Sequence, residues 1–455
     1  MVLTRPHASP ELPVATTVAQ LAGTLQTLFT TTAEQLAQAA GLIRRRRKLS
    51  GPSFARALVF TWLDHPDASL EELAQATALA GDPLTPQALD ERFTPPAAEF
   101  LRRLLARAVD GVVSAPPAAV ALLHRFPGVY LLDSTVVALP AALASRWAGC
   151  GGRGGAAGQA GLKVQLRYEL RTGALDALTL TPARQPDTTA EQPSPPLPPG
   201  ALRLADLGYF DLDVLQAYDR RAVYFLSRIQ AKTAVYDAAG RKWTLAAFLA
   251  HQGADRIEGR VRVGTQQRLA CRLLAVRAPA AVVQKRRQRA RRQAQDHGHR
   301  VSAEALAVCG WTVFITNVPA ALLSLAEAWV LYRVRWQVEL LFKLWTSQGG
   351  VATSRSGKAD RVLCEVYAKL LAMVVQHWVV LVGGGGFSER SARKAAKAVR
   401  RQALHLASVL GRTRELRRVL RLLGRVLRAG GRVNRRRRRP STYQTLCHPE
   451  HSGLS

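Results

Sequence analysis

Five polar residues stand at steps of three or four in the stretch LAEAWVLYRVRWQVELLFKLWTSQ: Tyr332, Arg335, Glu339, Lys343 and Thr346. That spacing puts them on one face of an α-helix, predicted over Leu325–Gln348. Leu331, Val334, Val338, Leu341, Leu344 and Trp345 give the same cylinder its apolar cover. Ser324 with Glu327 three residues later reads as a capping box, and Gly349-Gly350 mark the end. A carboxylate between an arginine and a lysine can hold a cation or steer a phosphate. It can equally be an i,i+4 ion ladder on a solvated face.

Two further acids change that balance. Val129-Tyr130-Leu131-Leu132 and Leu202-Arg203-Leu204-Ala205 read as short strands, each ending in an acid, Asp133 and Asp206. A lone strand-end Asp is commonly a turn or cap residue. In a mixed α/β layer, however, the end of a central strand is where ligands bind, and a helix packed across the sheet can bring Glu339 to the same crevice. Three converging carboxylates suit hard divalent cations, two Mg²⁺ with Mn²⁺ as a substitute. Two ions about 3.5–4 Å apart activate an attacking hydroxyl and stabilise a leaving oxygen, which is the chemistry of phosphodiester cleavage and strand transfer.

The composition points to the same substrate. Sixty-four Lys+Arg against 32 Asp+Glu leave a net charge of +32, which argues for a polyanionic partner. The excess of arginine over lysine favours bidentate phosphate contacts. A membrane surface is also a polyanion, but the longest apolar run, Val362–Val382, is interrupted by Glu365, Lys369, Gln376 and His377 and reads as a core helix. Five widely spaced cysteines and no N-terminal hydrophobic signal region suit a reducing cytosol, so a cytoplasmic, nucleoid-associated protein is expected. Cys447-His448 with His451 lacks a fourth ligand at suitable spacing for a metal.

Residues 1–115 read as short helices beside the basic run Arg44–Lys48, either a DNA-binding module or a plain helical bundle. Predicted helices cover Val18–Ile43, Ser53–Leu63, Ser69–Leu79, a turn from Thr85, and Ala97–Val109. Over 116–230 the period shortens. Leu162, Val164, Leu166, Tyr168 and Leu170 alternate with polar residues, a half-buried strand turned at Arg171-Thr172-Gly173 into a hairpin partner, Ala174–Thr181. A helix over Asp211–Tyr218 and a strand over Ala222–Ile229 follow. Residues 231–300 look like a separate β-rich piece carrying a basic helix at Lys285–Arg292, and 301–382 return to the core with a strand at Trp311–Val318. Gly383–Gly386 read as a hinge, and 387–455 as a basic helical region with a loose tail, including Arg435–Arg439.

The stretches YLLDST (130–135), LRLADLGYFD (202–211), YFLSR (224–228), WTVFITNVP (311–319) and YRVRWQVELLFKLW (332–345) resemble the DDE transposases of bacterial insertion sequences. The likeness is to the insertion sequence 4 family with its Tyr-Arg-Glu-Lys signature, over roughly residues 40–440. It implies an RNase H-like mixed-sheet core with a β-rich insertion, flanked by helical regions. It implies Asp133, Asp206 and Glu339 as catalytic and metal-binding acids, and Tyr332, Arg335, Lys343, Arg228, Trp311 and Thr346 as DNA contacts. Thr346 stands where the signature lysine is expected, so it brings a hydroxyl but no charge, and Lys358 is the nearby base that could compensate. Trp311, 21 residues before Tyr332, would either receive a flipped base or be a core residue at a strand start. The implied reaction is cut-and-paste transposition through a hairpin intermediate, on terminal inverted repeats and target DNA, by a homodimer. The alternatives are an inactive DNA-binding remnant and an RNase H-like nuclease that cuts without joining.

Overall fold

Capping chemistry starts the N-terminal helices where the sequence places it. Ser69 and Glu72 close a full capping box on the helix Leu70–Leu79, Thr85 caps Pro86–Asp90, and Pro95 opens Pro95–Asp110 at its first turn. In this computed structural model residues 15–43, 49–150, 160–189, 194–296, 298–384, 391–430 and 442–449 are described. The basic runs Arg44–Lys48 and Arg435–Arg439, His451 and the end of the expected hinge, Gly385-Gly386, lie outside them.

Ten strands form one mixed sheet: β1 (Val129–Leu139), β2 (Ala160–Glu169), β3 (Ala174–Pro182), β4 (Leu202–Ala205), β5 (Tyr224–Arg228), β6 (Val235–Tyr236), β7 (Lys242–Trp243), β8 (Arg256–Val263), β9 (Leu269–Arg277) and β10 (Trp311–Thr316). Their spatial order is β3-β2-β1-β4-β5-β10-β9-β8-β6-β7, with β1, β4 and β5 parallel and their outer neighbours antiparallel. This is the RNase H-like architecture. The β-rich segment is joined to it rather than set apart, because β9 pairs with β10 from Trp311↔Arg277 to Thr316↔Arg272. With the core strands β5 and β10 it builds a second apolar cluster, from Phe225, Val235, Leu249, Val263, Leu273 and Ile315.

Two strand readings need correction. β1 does not stop at Asp133 but runs on to Leu139, because β2 pairs with it as far as Leu139↔Ala160. And β2, read as half-buried, is buried on both faces. Its polar face is satisfied residue by residue: Lys163 on Asp187, Gln165 on Thr181, Arg167 on Asp176. The Glu169 carboxylate accepts from the N–H groups of Val129, Arg171 and Thr172 at 3.1, 3.1 and 2.8 Å.

The helix Ala359–Gly384 is the hub of the helical layer and is buried among Gly51–Asp64, Pro95–Asp110 and Thr413–Gly430. It alone among the described helices is long and apolar enough to cross a membrane, yet 78% of that stretch is buried inside the protein. The N-terminal helices therefore share one core with the rest of the chain. Gly383 and Gly384 belong to this helix and are no hinge: a Cβ on Gly383 would sit 3.2 Å from the Cα of Gly424, so glycine lets two helices cross closely. Lys369 and Glu365 form a buried ion pair at 2.6 Å within it, and the Lys369 ammonium also donates to the carbonyls of Gly350 and Thr353 at 3.0 and 2.9 Å. That ties down the chain leaving the Glu339 helix.

Candidate active site

Register assembles the site. In the parallel pair β1–β4, Leu132 stands opposite Ala205, and in β4–β5, Ala205 stands opposite Ser227. The next residue on each strand is Asp133, Asp206 and Arg228, so two acids and an arginine form one row across three adjacent strands. The antiparallel neighbour adds Phe314, opposite Arg228, to the row. Arg203, Leu204 and Ala205 beneath it are fully buried, which gives the row a rigid floor.

The Glu339 helix packs across β1. It is not one continuous helix. Leu325–Val334 and Trp336–Ser347 meet at Arg335, which keeps helical angles (φ −48°, ψ −31°) while the helical ladder is interrupted. The break falls where the side chain is drawn into the sheet: Arg335 donates to Asp133 Oδ2 at 3.1 Å and to Glu339 Oε1 at 2.7 Å. One turn earlier, Tyr332 packs on Phe314 at a centroid distance of 4.6 Å and donates its hydroxyl to Asp206 Oδ1 at 3.1 Å. Thus Arg335 gathers Asp133 and Glu339, and Tyr332 holds Asp206.

The electrostatics follow from that packing. Burial pushes the Asp133 carboxyl up to about 6. Arg335 and the Ser134 N–H oppose the rise, and the charges of Glu339 and Asp206 add to it. Burial alone would lower the Arg335 guanidinium, but Asp206, Asp133, Tyr332 and Glu339 carry it above its ordinary value. Burial, then Asp206, raises the Tyr332 phenol. All three acids are therefore within electrostatic reach of one another or of the same arginine.

Hard carboxylate oxygens in this number suit a divalent cation. Among the described residues no trio of His, Cys, Asp or Glu is closed tightly enough to hold one as it stands. The reason is local: the Arg335 guanidinium lies between Asp133 and Glu339 and neutralises them. Its buried Nε has no hydrogen-bond partner, so this packing leaves part of the arginine unsatisfied. The donor set fits the ion in chemistry, with Arg335 as the group that must yield to it.

The other expected DNA contacts are dispersed. Arg228 sits in the row with its buried Nε unpartnered. Lys343 instead lies over the exposed Trp336 ring, 4.0 Å from its centroid. The Thr346 hydroxyl donates back to Phe342 O at 3.0 Å, so its one donor serves its own helix. Lys358 is held by Asp90, 3.0 Å from its carbonyl and 3.5 Å from its carboxylate. Trp311 is 7% exposed in the second core with the Arg277 guanidinium 4.4 Å over its ring, so it presents no face to a flipped base.

A supporting cluster escapes sequence reading altogether. Asp187 accepts from Lys163 Nζ at 2.9 Å and from Ser134 Oγ at 3.1 Å, beside Asp133. A Cβ on Gly208 would come 2.8 Å from Asp187 Oδ2, so a side chain there would make the Asp187 carboxylate shift. Asp187 thus ties β1, just past Asp133, to β2. Its only signal in the sequence is a position in a Pro/Thr-rich loop, which announces nothing.

The family described as Transposase DDE domain matches residues 124–375, which contain every residue of this row. The chain is 27% identical to the transposase for insertion sequence element IS231F of Bacillus thuringiensis subsp. israelensis, over 93% of this chain and 94% of that protein. It is 28% identical to the transposase for IS231B of Bacillus thuringiensis subsp. berliner, over 75% of each chain. With the transposase for IS1151 of Clostridium perfringens it shares 23% identity over 76% of this chain and 77% of the other.

Proposed function

This chain belongs to the DDE transposase family, and we propose that it excises an insertion sequence by cutting DNA at the element's ends and joining the freed 3′ ends to a target. The observation that carries the reading is the row of Asp133 and Asp206 at matched register, with Glu339 tied to it through Arg335. Asp133, Asp206 and Glu339 would hold Mg²⁺ or Mn²⁺, which when bound supplies Lewis-acid activation of the attacking hydroxyl and stabilisation of the leaving oxygen. Arg335, released from the carboxylates, and Arg228 would position the scissile phosphate, and Tyr332 would orient Asp206 through its hydroxyl.

In the proposed sequence, water cuts one strand at the element end, and the new 3′-hydroxyl attacks the opposite strand to form a hairpin. The reopened 3′ end then joins target DNA. Two ends must be held together, so the working unit is a homodimer on the terminal inverted repeats. The protein acts on cytoplasmic, nucleoid-associated DNA.

Glu339→Gln is the decisive variant. It should keep binding to end-containing duplex and lose Mg²⁺-dependent nicking by on the order of 10³-fold. Retained nicking would refute the assignment. A second reading, a DNA-binding remnant without catalysis, is favoured by Thr346, whose hydroxyl is bonded to its own helix. Plasmid excision by the natural chain separates the two. Cutting without strand transfer would instead mark a nuclease.

A further inference from the structure

The helix Ala280–Asp296 has 17 residues, and only Ala294 among them is fully buried. Half-buried Val283, Arg286 and Ala290 continue Ala294 into a narrow inward seam at steps of three and four. The seam is clamped. Arg286 donates to the Trp311 carbonyl and to Thr312 Oγ1, both at 2.8 Å, and Arg287 to the Leu306 carbonyl at 3.2 Å.

The outer face is the opposite. Lys285, Arg289, Arg291 and Arg292 are exposed and have no ion pair or hydrogen bond among the described residues. Lys285 with Arg289, Arg287 with Arg291, and Arg289 with Arg292 place like charges at i,i+4 and i,i+3, where they repel. A helix held by so thin a seam, and opposed by its own charge, is completed by a polyanion.

Position says which one. The Arg286 clamp grips β10, which pairs with β5 at Phe314↔Arg228. Arg228 also lies near enough to act electrostatically on both Arg286 and Tyr332, and Tyr332 binds Asp206. Arg228 therefore stands between the catalytic acids and the Arg286 clamp that holds this helix to the sheet. We infer that the outer face of Ala280–Asp296 is a second contact for the phosphate backbone of duplex DNA, continuing the path that begins at Asp133, Asp206 and Glu339. The inference rests on the reading that duplex DNA is the partner.

The test uses the full chain carrying Lys285→Gln, Arg289→Gln, Arg291→Gln and Arg292→Gln together. Fluorescence anisotropy with a labelled random-sequence duplex, across roughly 50–200 mM salt, gives the slope of log affinity against log salt. Each phosphate that the helix no longer neutralises should flatten that slope by about 0.9, so roughly 2–4 in all if two to four phosphates are involved. The circular dichroism spectrum and melting temperature should not fall. An unchanged slope in a folded variant overturns the proposal, as does flattening seen with single-stranded RNA but not with duplex DNA. If the slope flattens while the natural chain never nicks DNA, the surface stands and the catalytic reading fails. If the natural chain nicks and the slope is unchanged, the surface alone is refuted.

Discussion

Two sets of arginines in this chain are treated in opposite ways. Arg335 is nearly enclosed, its side chain 10% exposed, and both of its terminal nitrogens face carboxylates of the same protein. Arg289, Arg291 and Arg292 are exposed and face no acid among the described residues. The contrast separates two uses of positive charge. A buried guanidinium must be matched internally, because an unpaired charge in a low-dielectric setting is strongly disfavoured. An exposed one can wait for an external anion, since water meanwhile solvates it. So the arginine surplus in the composition does not by itself mark DNA-facing residues; burial and pairing sort them.

Three substitutions break or sharpen that contrast, beginning with the largest effect. Arg335→Met leaves Asp133 and Glu339 without their shared cation and should cost about 3 kcal/mol, read as a lower urea midpoint. A cost under about 0.5 kcal/mol would show that the three side chains are not joined in solution.

Asp133→Asn should act in the other direction, and with pH. The folded protein raises this carboxyl from 3.8 to about 6, so folding favours its protonated form. The ionised form is therefore penalised by roughly 2–3 kcal/mol above about pH 6; the penalty fades as pH falls from 6 towards 4 and is gone below that. The asparagine variant should be the more stable by about that amount at pH 8 and lose its advantage near pH 4. Urea melts at both pH values decide it, and a gap independent of pH would mean the carboxyl is not perturbed.

Thr346→Lys has the smallest expected effect. It adds a cation near the end of the Glu339 helix and removes one local hydrogen bond. Stability should stay within about 0.5 kcal/mol, and the salt slope of duplex binding should steepen by about 0.9. No steepening would mean that this end of the helix does not meet phosphate.

Much of the fold was legible because its signals are local. The capping boxes at Ser69 and Ser324, the hairpin turned at Gly173 (φ +73°) and the core helix around Val362–Val382 all rest on neighbours a few residues apart. The candidate acids were legible as residue types, and Asp206 also as an element end. What the sequence does not show depends on remote partners. Asp133 marks no strand end, since β2 extends β1 beyond it, and the polar residues of β2 are buried because acids and hydroxyls elsewhere satisfy them. Trp311, open in sequence to a DNA contact or a core place, packs in the second apolar cluster. Lys358 bonds to Asp90, from the N-terminal helices, a partner 268 residues away in the sequence.

By itself, then, the sequence determined which groups the protein can use: three carboxylates, a tyrosine and an arginine at helical spacing, and a large excess of positive charge. The tertiary structure alone decided which of them meet. Parallel register sets Asp133 beside Asp206 and Arg228, and the packed helix turns Tyr332 and Arg335 onto them. The physical reason is range: helical period and capping act over a few residues, whereas strand register and burial are fixed by segments scores of residues away.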